Sequence, residues 1–348
     1  MAEVSLPRFS VLSGDNSLPL VDTAPMQAAL QMPAALAQQP GFARVFVPGR
    51  VTLGLVAPFK GYPDSPLPDA SDMCELAQLA DELGFAALWV RDVPFFDPAF
   101  GDVGQGLDAL VTLGLLAART RHIALGTAGL VAPLRSPVHV AKAAASVALM
   151  TGGRFVLGLS SGDRPVEYPA FGVDFEHRAG VFREAWTMVR ALTQQSFPKF
   201  ASEYFGQLNG AVDMVPKPAA RLPMVAIGRA RQQLQWLARE SDAWIWHGVN
   251  PADTGRIVQT LTAMGDGKTW HPFGYANFVE LDENPAAPAQ LFNNIYLRGG
   301  SRSMAQFWRE QGAQGLAHVV INLKPTRRPA VEVLHDLAEN VLPVLTQD

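Results

Sequence analysis

Short apolar runs alternate with helix-forming patterns along most of this chain, and this alternation restricts the possible folds more than any other feature. The runs are almost continuously apolar, which is typical of parallel strands that are covered on both faces. Each run is followed by a segment with apolar residues at helical spacing. We predict eight strands, at residues 51–56, 86–90, 123–128, 155–159, 224–227, 243–246, within 274–281 and at 318–322.

Eight strand and helix units predict a closed (β/α)8 barrel rather than a sandwich or a helical bundle. The structural alternative is a doubly wound sheet. The turn after the first strand reads APFKGYP, however, and lacks the glycine pattern that a dinucleotide-binding sheet carries there. The helix predicted at 107–118 is apolar nearly all round, which predicts burial. The other predicted helices lie at 72–83, from 137 onwards, and at 181–192, 232–239, 304–311 and 330–345.

The 348 residues suit one large α/β domain, which we place at residues 51–348. We interpret residues 1–50 as an N-terminal arm. This arm either packs over the amino-terminal face of the barrel or reaches a partner subunit, and the sequence supports both alternatives. Prolines interrupt any long element in it, at Pro19, Pro25, Pro33, Pro40 and Pro48.

Composition and charge exclude several classes of protein. A formal net charge of -4, with scattered charged residues, gives no electrostatic footprint for nucleic acid or an anionic membrane. No apolar run reaches the roughly 20 residues that span a bilayer. The amino terminus lacks a basic and then apolar signal pattern, so we expect a cytoplasmic protein. The single cysteine, Cys74, excludes an intramolecular disulfide, and no spacing of Cys or His predicts a metal site.

Small and polar residues follow the fourth predicted strand, at the end of a barrel where ligands bind. Residues 160–162 read Ser-Ser-Gly, and Asp163 and Arg164 come next. Hydroxyls, backbone N–H groups and a guanidinium are a suitable set for a phosphate or a ribityl chain. The alternative is a local ion pair between Asp163 and Arg164 on a solvated loop.

The third and fifth predicted strands also end in small residues. The third strand ends in residues 126–129, Gly-Thr-Ala-Gly, which allow a flat ring to approach the backbone closely or simply allow tight packing. The fifth strand ends in Gly228, Arg229 and Ala230, which run into a predicted helix. Free N–H groups and the dipole at the start of a helix favour an anion. The alternative for Arg229 is a surface position on an amphipathic helix.

Three blocks of the sequence resemble the bacterial luciferase-like, flavin-dependent oxidoreductases. The blocks are LADELGFAALWVRD, GTAGLVAPLRSPVHVAKAAASV and GGRFVLGLSSGD, and the similarity runs from about Val51 to the end of the chain. The resemblance implies a TIM barrel that binds reduced FMN, or a deazaflavin, at the carboxyl ends of the strands. It places a non-proline cis peptide at Ala128-Gly129. The implied cofactor contacts are Thr127, Ala128, Gly129, Ser160, Ser161, Gly162, Gly228, Arg229 and Ala230.

One departure from the family concerns the second strand, where many members read Asp-His or Glu-His. This chain reads Arg91-Asp92-Val93, so a histidine that relatives can use as an acid or base is missing. We predict that Asp92 or His247 takes this role; the alternatives are that another group takes it or that the role is absent. The alternative for His247, which lies beside Trp244 and Trp246, is a packed and hydrogen-bonded histidine.

The resemblance implies an FMNH2-dependent monooxygenase that uses O2, with reduced FMN supplied by a separate flavin reductase. The apolar loops of this chain predict a small apolar or amphiphilic substrate. The aromatic residues on the loops predict a site that is shielded from water. Two alternatives stay open, a deazaflavin-dependent hydride transfer and a non-catalytic flavin-binding protein on the same fold. Members of the family often form dimers, so we also expect a homodimer.

Overall fold

Eight parallel strands pair side by side and close into a barrel in the computed structural model, which describes residues 30–100 and 106–346. The order around the barrel is β1-β2-β3-β5-β8-β9-β10-β13, and β13 pairs with β1 to close it. The predicted (β/α)8 barrel is therefore confirmed. The barrel strands are β1 (Thr52–Ala57), β2 (Ala87–Val90), β3 (Ala124–Thr127), β5 (Phe155–Ser160), β8 (Met224–Ile227), β9 (Ala243–His247), β10 (Phe273–Leu281) and β13 (Leu316–Asn322).

Eleven helices accompany the strands within the described residues. They are α1 (Ala34–Ala37), α2 (Pro40–Val45), α3 (Met73–Glu82), α4 (Ala109–Arg119), α5 (Pro137–Met150), α6 (Arg178–Gln194), α7 (Leu234–Glu240), α8 (Thr254–Met264), α9 (Ser301–Gly312), α10 (Ala330–Asn340) and α11 (Leu342–Thr346). The remaining strands are the short β4 (Leu130–Val131), the hairpin β6 (Lys199–Ser202) and β7 (Gly206–Asn209), and the hairpin β11 (Gln290–Phe292) and β12 (Tyr296–Gly299).

Alternate residues of the barrel strands serve two separate cores, because successive side chains point to opposite faces of a strand. Leu53 and Leu55 of β1 face outward and pack with the helices in the larger core. Val56 and Trp89 face inward. Trp89 donates a hydrogen bond from Nε1 to Nε2 of His318 on β13, 2.9 Å away. These two strands are separated by β1, so the bond crosses the barrel interior.

The arm residues 30–50 lie across the amino-terminal end of the barrel. The rings of Phe42 and Phe46 are buried in the interior core. The amide of Gly41 donates to the carbonyl of Gly153 over 3.1 Å, and the Arg44 guanidinium donates to the carbonyl of Phe85. For these residues the structure selects the amino-terminal face from the two predicted alternatives. Residues 1–29 of the predicted arm lie outside the described residues.

Helix α4 corrects one prediction. Its sequence is apolar nearly all round, yet Val111 is 74% exposed and Leu115 is also exposed, while Leu113 and Leu116 face the core. Residues 30–50 do not cover its outer face, because they lie at the amino-terminal end of the barrel. Its amino terminus is capped by Asp108, which accepts hydrogen bonds from the amides of Leu110 and Val111. No helix in the described parts of the chain is long and apolar enough to cross a membrane.

Candidate functional site

The sequence-predicted site residues all lie at the carboxyl ends of β2, β3, β5, β8 and β9. Because these strands are parallel neighbours, their loops meet at one mouth of the barrel. His247 is the last residue of β9 and points to the same side as Ile245, which packs inside the barrel. The residues brought to this mouth are Asp92, Thr127, Ala128, Gly129, Ser160, Ser161, Gly162, Gly228, Arg229, Ala230 and His247.

The end of β3 has the backbone geometry that the resemblance implies, since the peptide Ala128-Gly129 is cis. The hydroxyl of Thr127 donates to the carbonyl of Gly158 over 2.6 Å and accepts from its amide over 2.9 Å. Thr127 thereby joins β3 to β5, and the hydrogen of its hydroxyl is already donated within the protein. A Cβ on Gly129 would lie 2.7 Å from Ile227, so protein packing alone already requires glycine there.

The loop after β5 is held by its own hydrogen bonds. Ser160 donates to the carbonyl of Gly129 over 3.3 Å. The carbonyl of Ser161 accepts from the hydroxyl of Tyr168, which lies in a 3-10 helix at Pro165–Phe171. Gly162 adopts a left-handed backbone with a φ of 71°, and a Cβ there would meet the same tyrosine hydroxyl at 2.7 Å. These bonds fix the loop between β5 and the 3-10 helix.

Asp92 is a buried and fully engaged carboxylate. Its side chain is 5% exposed. Arg135 donates to both of its oxygens, over 2.9 and 2.6 Å, and the amide of Val131 donates over 2.9 Å. Burial acts to lower the pKa of Arg135, but Asp92 and then Asp108 outweigh it and raise that pKa. The carboxylate therefore anchors the segment after β3, while its predicted catalytic role stays a prediction.

An arginine that the sequence analysis left without a role lies beside the end of β5. Arg178 is the first residue of α6, is 7% exposed, and stacks its guanidinium 3.4 Å over the ring of Phe175. Its buried Nε has no hydrogen-bond acceptor among the described residues. Burial, followed by the positive charge of Arg231, lowers its pKa. A cation at the amino terminus of a long helix also opposes the helix dipole. Nη1 of Arg178 donates to the carbonyl of Phe175 and lies 3.9 Å from the exposed carboxylate of Glu176, so Nε is a donor that remains for an anion.

Arg231 lies in the turn after β8, close enough to Arg178 for its positive charge to lower the pKa of Arg178. The sequence predicts a helix from residue 232, whereas α7 begins at Leu234. Instead Ala230 and Arg231 adopt left-handed backbones, with φ of 47° and 57°. The buried side chain of Gln232 donates to the carbonyls of Ala230 and Ala179 and accepts from Arg183. Gln232 thereby joins this turn to the first turn of α6.

A second buried pair lies on the loop after β5. Arg164 is buried, so the predicted alternative of a solvated ion pair with Asp163 is wrong. Its Nη1 lies 4.0 Å from Oε1 of Glu167, and its guanidinium lies 4.2 Å from the centre of the Phe100 ring. Glu167 is 4% exposed. Burial raises the pKa of Glu167 to about 7, although Arg164 opposes the shift. No local sequence pattern predicts a role for Glu167, since its burial depends on contacts distant in the chain.

Residues 30–100 and 106–346 contain no group of three or more His, Cys, Asp or Glu side chains that could hold a metal ion. The charged and titratable side chains placed around this mouth in the described chain include Arg164, Glu167, Arg178, Arg231, Asp92 and His247.

Comparisons with known proteins agree with this geometry. A family model described as luciferase-like monooxygenase matches residues 57–341. The F420-dependent hydroxymycolic acid dehydrogenase of Mycobacterium tuberculosis is 30% identical over 217 residues, which cover 55% of this chain and 59% of the relative.

Two solved structures share the fold at low sequence identity. The first is an F420-dependent secondary alcohol dehydrogenase in complex with an F420-acetone adduct, with a TM-score of 0.68, 17% identity and coverage of 86% of this chain and all of the other. The second is the oxygenating constituent of 3,6-diketocamphane monooxygenase from Pseudomonas putida in complex with FMN, with a TM-score of 0.65, 11% identity and the same coverage.

Proposed function

The chain belongs to the luciferase-like monooxygenase family, and from this premise we propose that it is a flavin-dependent oxidoreductase that uses reduced FMN and O2. The ring of the cofactor would lie beside the end of β3, and its phosphate between the loops that follow β5 and β8. A small apolar or amphiphilic molecule is the proposed substrate. Supply of reduced FMN by a separate reductase and assembly into a homodimer remain predictions.

The observation that carries this proposal is the pairing of Arg178 with Arg231. Two cations, one of them buried with an unused Nε, are held close together by Gln232. A phosphate placed there would accept charge-assisted hydrogen bonds and relieve the repulsion between the guanidinium groups. Gly228 has a φ of 64° and no atom within 4 Å of where a Cβ would stand, so the backbone of this turn is open to a ligand.

The two parts of the proposed site lie on neighbouring strands. Strand β5 has β3 on one side and β8 on the other, so a phosphate between β5 and β8 and a ring beside β3 lie on adjacent strands. When bound, the reduced flavin would supply the electrons of the reaction. The chain's residues would orient it and exclude water. The aromatic contact of Phe95 with Phe171, with ring centres 5.9 Å apart, closes part of the mouth.

A deazaflavin-dependent hydride transfer is the second candidate function. It is favoured by the names of the 30% identical relative and of the dehydrogenase structure, both of which are F420-dependent. The two candidates share the phosphate site and differ in the ring and in the need for O2, so one titration can separate them.

We expect the substitution Arg178→Gln to weaken the binding of reduced FMN about tenfold to a hundredfold, because a hydrogen bond to a charged group contributes about 1.5–3 kcal/mol. The measurement is an anaerobic absorbance titration of the purified protein with reduced FMN and, separately, with reduced F420. The matched control is Arg119→Gln, since Arg119 is exposed at the carboxyl end of α4. Arg229→Ala tests the predicted contribution of that residue in the same way.

Admission of air after the titration tests the reaction type. A spectral change that lasts longer than with free reduced FMN supports the monooxygenase, whereas binding of F420 in preference to FMN supports hydride transfer. Binding of FMN with no effect on its reoxidation supports the non-catalytic alternative. Equal affinity of wild type and Arg178→Gln would remove the phosphate assignment.

A further inference from the structure

Two loops meet over the carboxyl end of β3. Strand β3 lies between β2 and β5, and the loops that follow these two neighbours approach each other. From the β2 side, Asp92 accepts a hydrogen bond from the amide of Val131, just beyond the end of β3. From the β5 side, Tyr168 packs against Val131 and Leu134. The contact of Phe95 with Phe171 joins the two loops directly.

Glu167 is enclosed where these loops meet. It is adjacent to Tyr168 in the 3-10 helix and is 4% exposed. Its Oε1 is buried and has no hydrogen-bond donor among the described residues, because Nη1 of Arg164 at 4.0 Å is too distant for a hydrogen bond. A buried carboxyl oxygen without a donor is unfavourable in a protein that has nothing else to place there. Oε1 of Glu167 is therefore a buried acceptor whose hydrogen bond is not formed within the described chain.

Burial and the surrounding charges place the pKa of the Glu167 carboxyl near neutral pH. Burial raises its pKa to about 7, Arg164 lowers it, and the negative charges of Asp163, Asp92 and Asp97 raise it. Asp163 and Arg164 belong to the loop after β5, and Asp92 and Asp97 to the loop after β2. Near neutral pH the carboxyl can therefore donate a proton or accept one, which is the property of an effective acid-base group.

We propose that Glu167 is a catalytic residue that exchanges a proton with the ligand bound at the end of β3. This inference rests on the proposed function. In the donating direction, the O–H bond of the Glu167 carboxyl breaks as the same proton bonds to an oxygen or nitrogen atom of the ligand. The carboxylate that remains is stabilised by Arg164 and regains a proton from water. In the accepting direction, the proton leaves the oxygen or nitrogen atom of the ligand and bonds to the carboxylate of Glu167. Glu167 is neither oxidised nor reduced in either direction.

The experiment uses the linkage between proton binding and ligand binding. A ligand that contacts a titrating group changes the pKa of that group, so its own affinity must vary with pH. The affinity of reduced FMN is measured anaerobically at pH 6, 7 and 8 for the wild type, for Glu167→Gln and for the control Glu82→Gln. Glu82 is exposed at the carboxyl end of α3, away from the mouth. The titration of the FMN phosphate itself is common to all three proteins.

We expect the ratio of affinities at pH 6 and pH 8 to differ about fivefold or more between the wild type and Glu167→Gln, and to be the same in Glu82→Gln and the wild type. A second measurement does not depend on how the variant folds. In wild-type protein labelled with 13C at glutamate carboxyls, the resonance that titrates near pH 7 should move its midpoint when reduced FMN is added.

Two results would overturn the inference. Parallel pH dependences in the wild type and Glu167→Gln, or a carboxyl midpoint that FMN leaves unchanged, would reduce Glu167 to a structural partner of Arg164 while the proposed function stands. If the wild type binds neither reduced FMN nor reduced F420 at any of these pH values, the proposed function fails and the inference fails with it.

Discussion

At the scale of single residues, Asp92 stabilises the segment after β3 through its ion pair with Arg135. We expect Asp92→Asn to lower the free energy of unfolding by about 1–3 kcal/mol, because the amide cannot pair with both donors of the partly buried Arg135. Urea unfolding measures this loss. The control Asp64→Asn breaks the exposed pair with Arg327 and should lower the free energy of unfolding much less, because solvent screens that pair. Equal losses in the two variants would show that Asp92 is not an anchor.

The same substitution bears on the predicted catalytic role of Asp92. If Asp92 transfers protons, Asp92→Asn should slow turnover while FMN binding is kept. If it only anchors the segment after β3, binding and turnover should fall together with stability, because the loop that carries Val131 loses its support.

The residues that form the site were only partly predictable from the sequence. The small and polar residues at the strand ends were recognised because their position in the chain marks them. Arg178 and Glu167 were not, because their burial is set by contacts that local patterns do not contain. Gln232 reaches Ala179 across 53 positions, and Arg135 reaches Asp92 across 43. A hydrogen bond between residues so far apart in the chain can be identified only when the order of the strands around the barrel is known.

At the scale of elements, almost continuously apolar runs located the barrel strands, and the hydrophobic pattern failed where it was weak. Helix α8 was not predicted, because its inner face buries Thr254, Thr260 and Thr262 beside only a few apolar residues. The hairpin of β6 and β7 is mostly exposed, and its four-residue strands are too short to give a strong hydrophobic pattern. For α4 the pattern was strong but uninformative about exposure, since Val111 is as apolar as its buried neighbours.

The arm offers a test of packing at the amino-terminal end. A Cβ on Gly41 would lie 2.4 Å from the carbonyl oxygen of Arg154, and backbone atoms cannot move aside as a flexible side chain can. We expect Gly41→Ala to lower the free energy of unfolding by about 1–3 kcal/mol, although alanine favours a helix more than glycine does. Thermal or urea unfolding measures the change.

The matched control for this prediction is Gly114→Ala in α4. Nothing lies within 4 Å of the position of its Cβ, so the substitution should stabilise the protein by about 0.5–1 kcal/mol through helix propensity. Stabilisation by both substitutions would mean that α2 is free to shift away from Arg154, and that the arm is not tightly packed on the barrel.

At the scale of the whole molecule, one histidine connects the arm to three strands. Nε2 of His318 accepts from Trp89, since an indole N–H only donates, so the neutral ring carries its proton on Nδ1 and donates it to Oγ1 of Thr52 over 2.7 Å. The Thr52 hydroxyl in turn donates to the carbonyl of Val45 in the arm. Protonation of Nε2 would break the bond to Trp89 and place a charge in an apolar interior. Burial accordingly lowers the pKa of His318 to about 3.

This network predicts how the barrel responds to acid. The unfolded chain binds a proton at His318 below about pH 6.5, whereas the folded protein does not until about pH 3. Stability is therefore full above pH 6.5 and is lost as the pH falls, by up to about 1.4 kcal/mol per pH unit from this group. His271, whose pKa is also lowered by burial, acts in the same direction.

We expect His318→Gln to be less stable than the wild type at pH 7.5 but to lose less stability on acidification, so that their free energies of unfolding converge towards pH 5. The exposed His335, changed to Gln, should follow the wild type throughout. If His318→Gln and the wild type instead lose stability in parallel, His318 has the same pKa in the folded and unfolded chains, and burial does not keep its imidazole neutral.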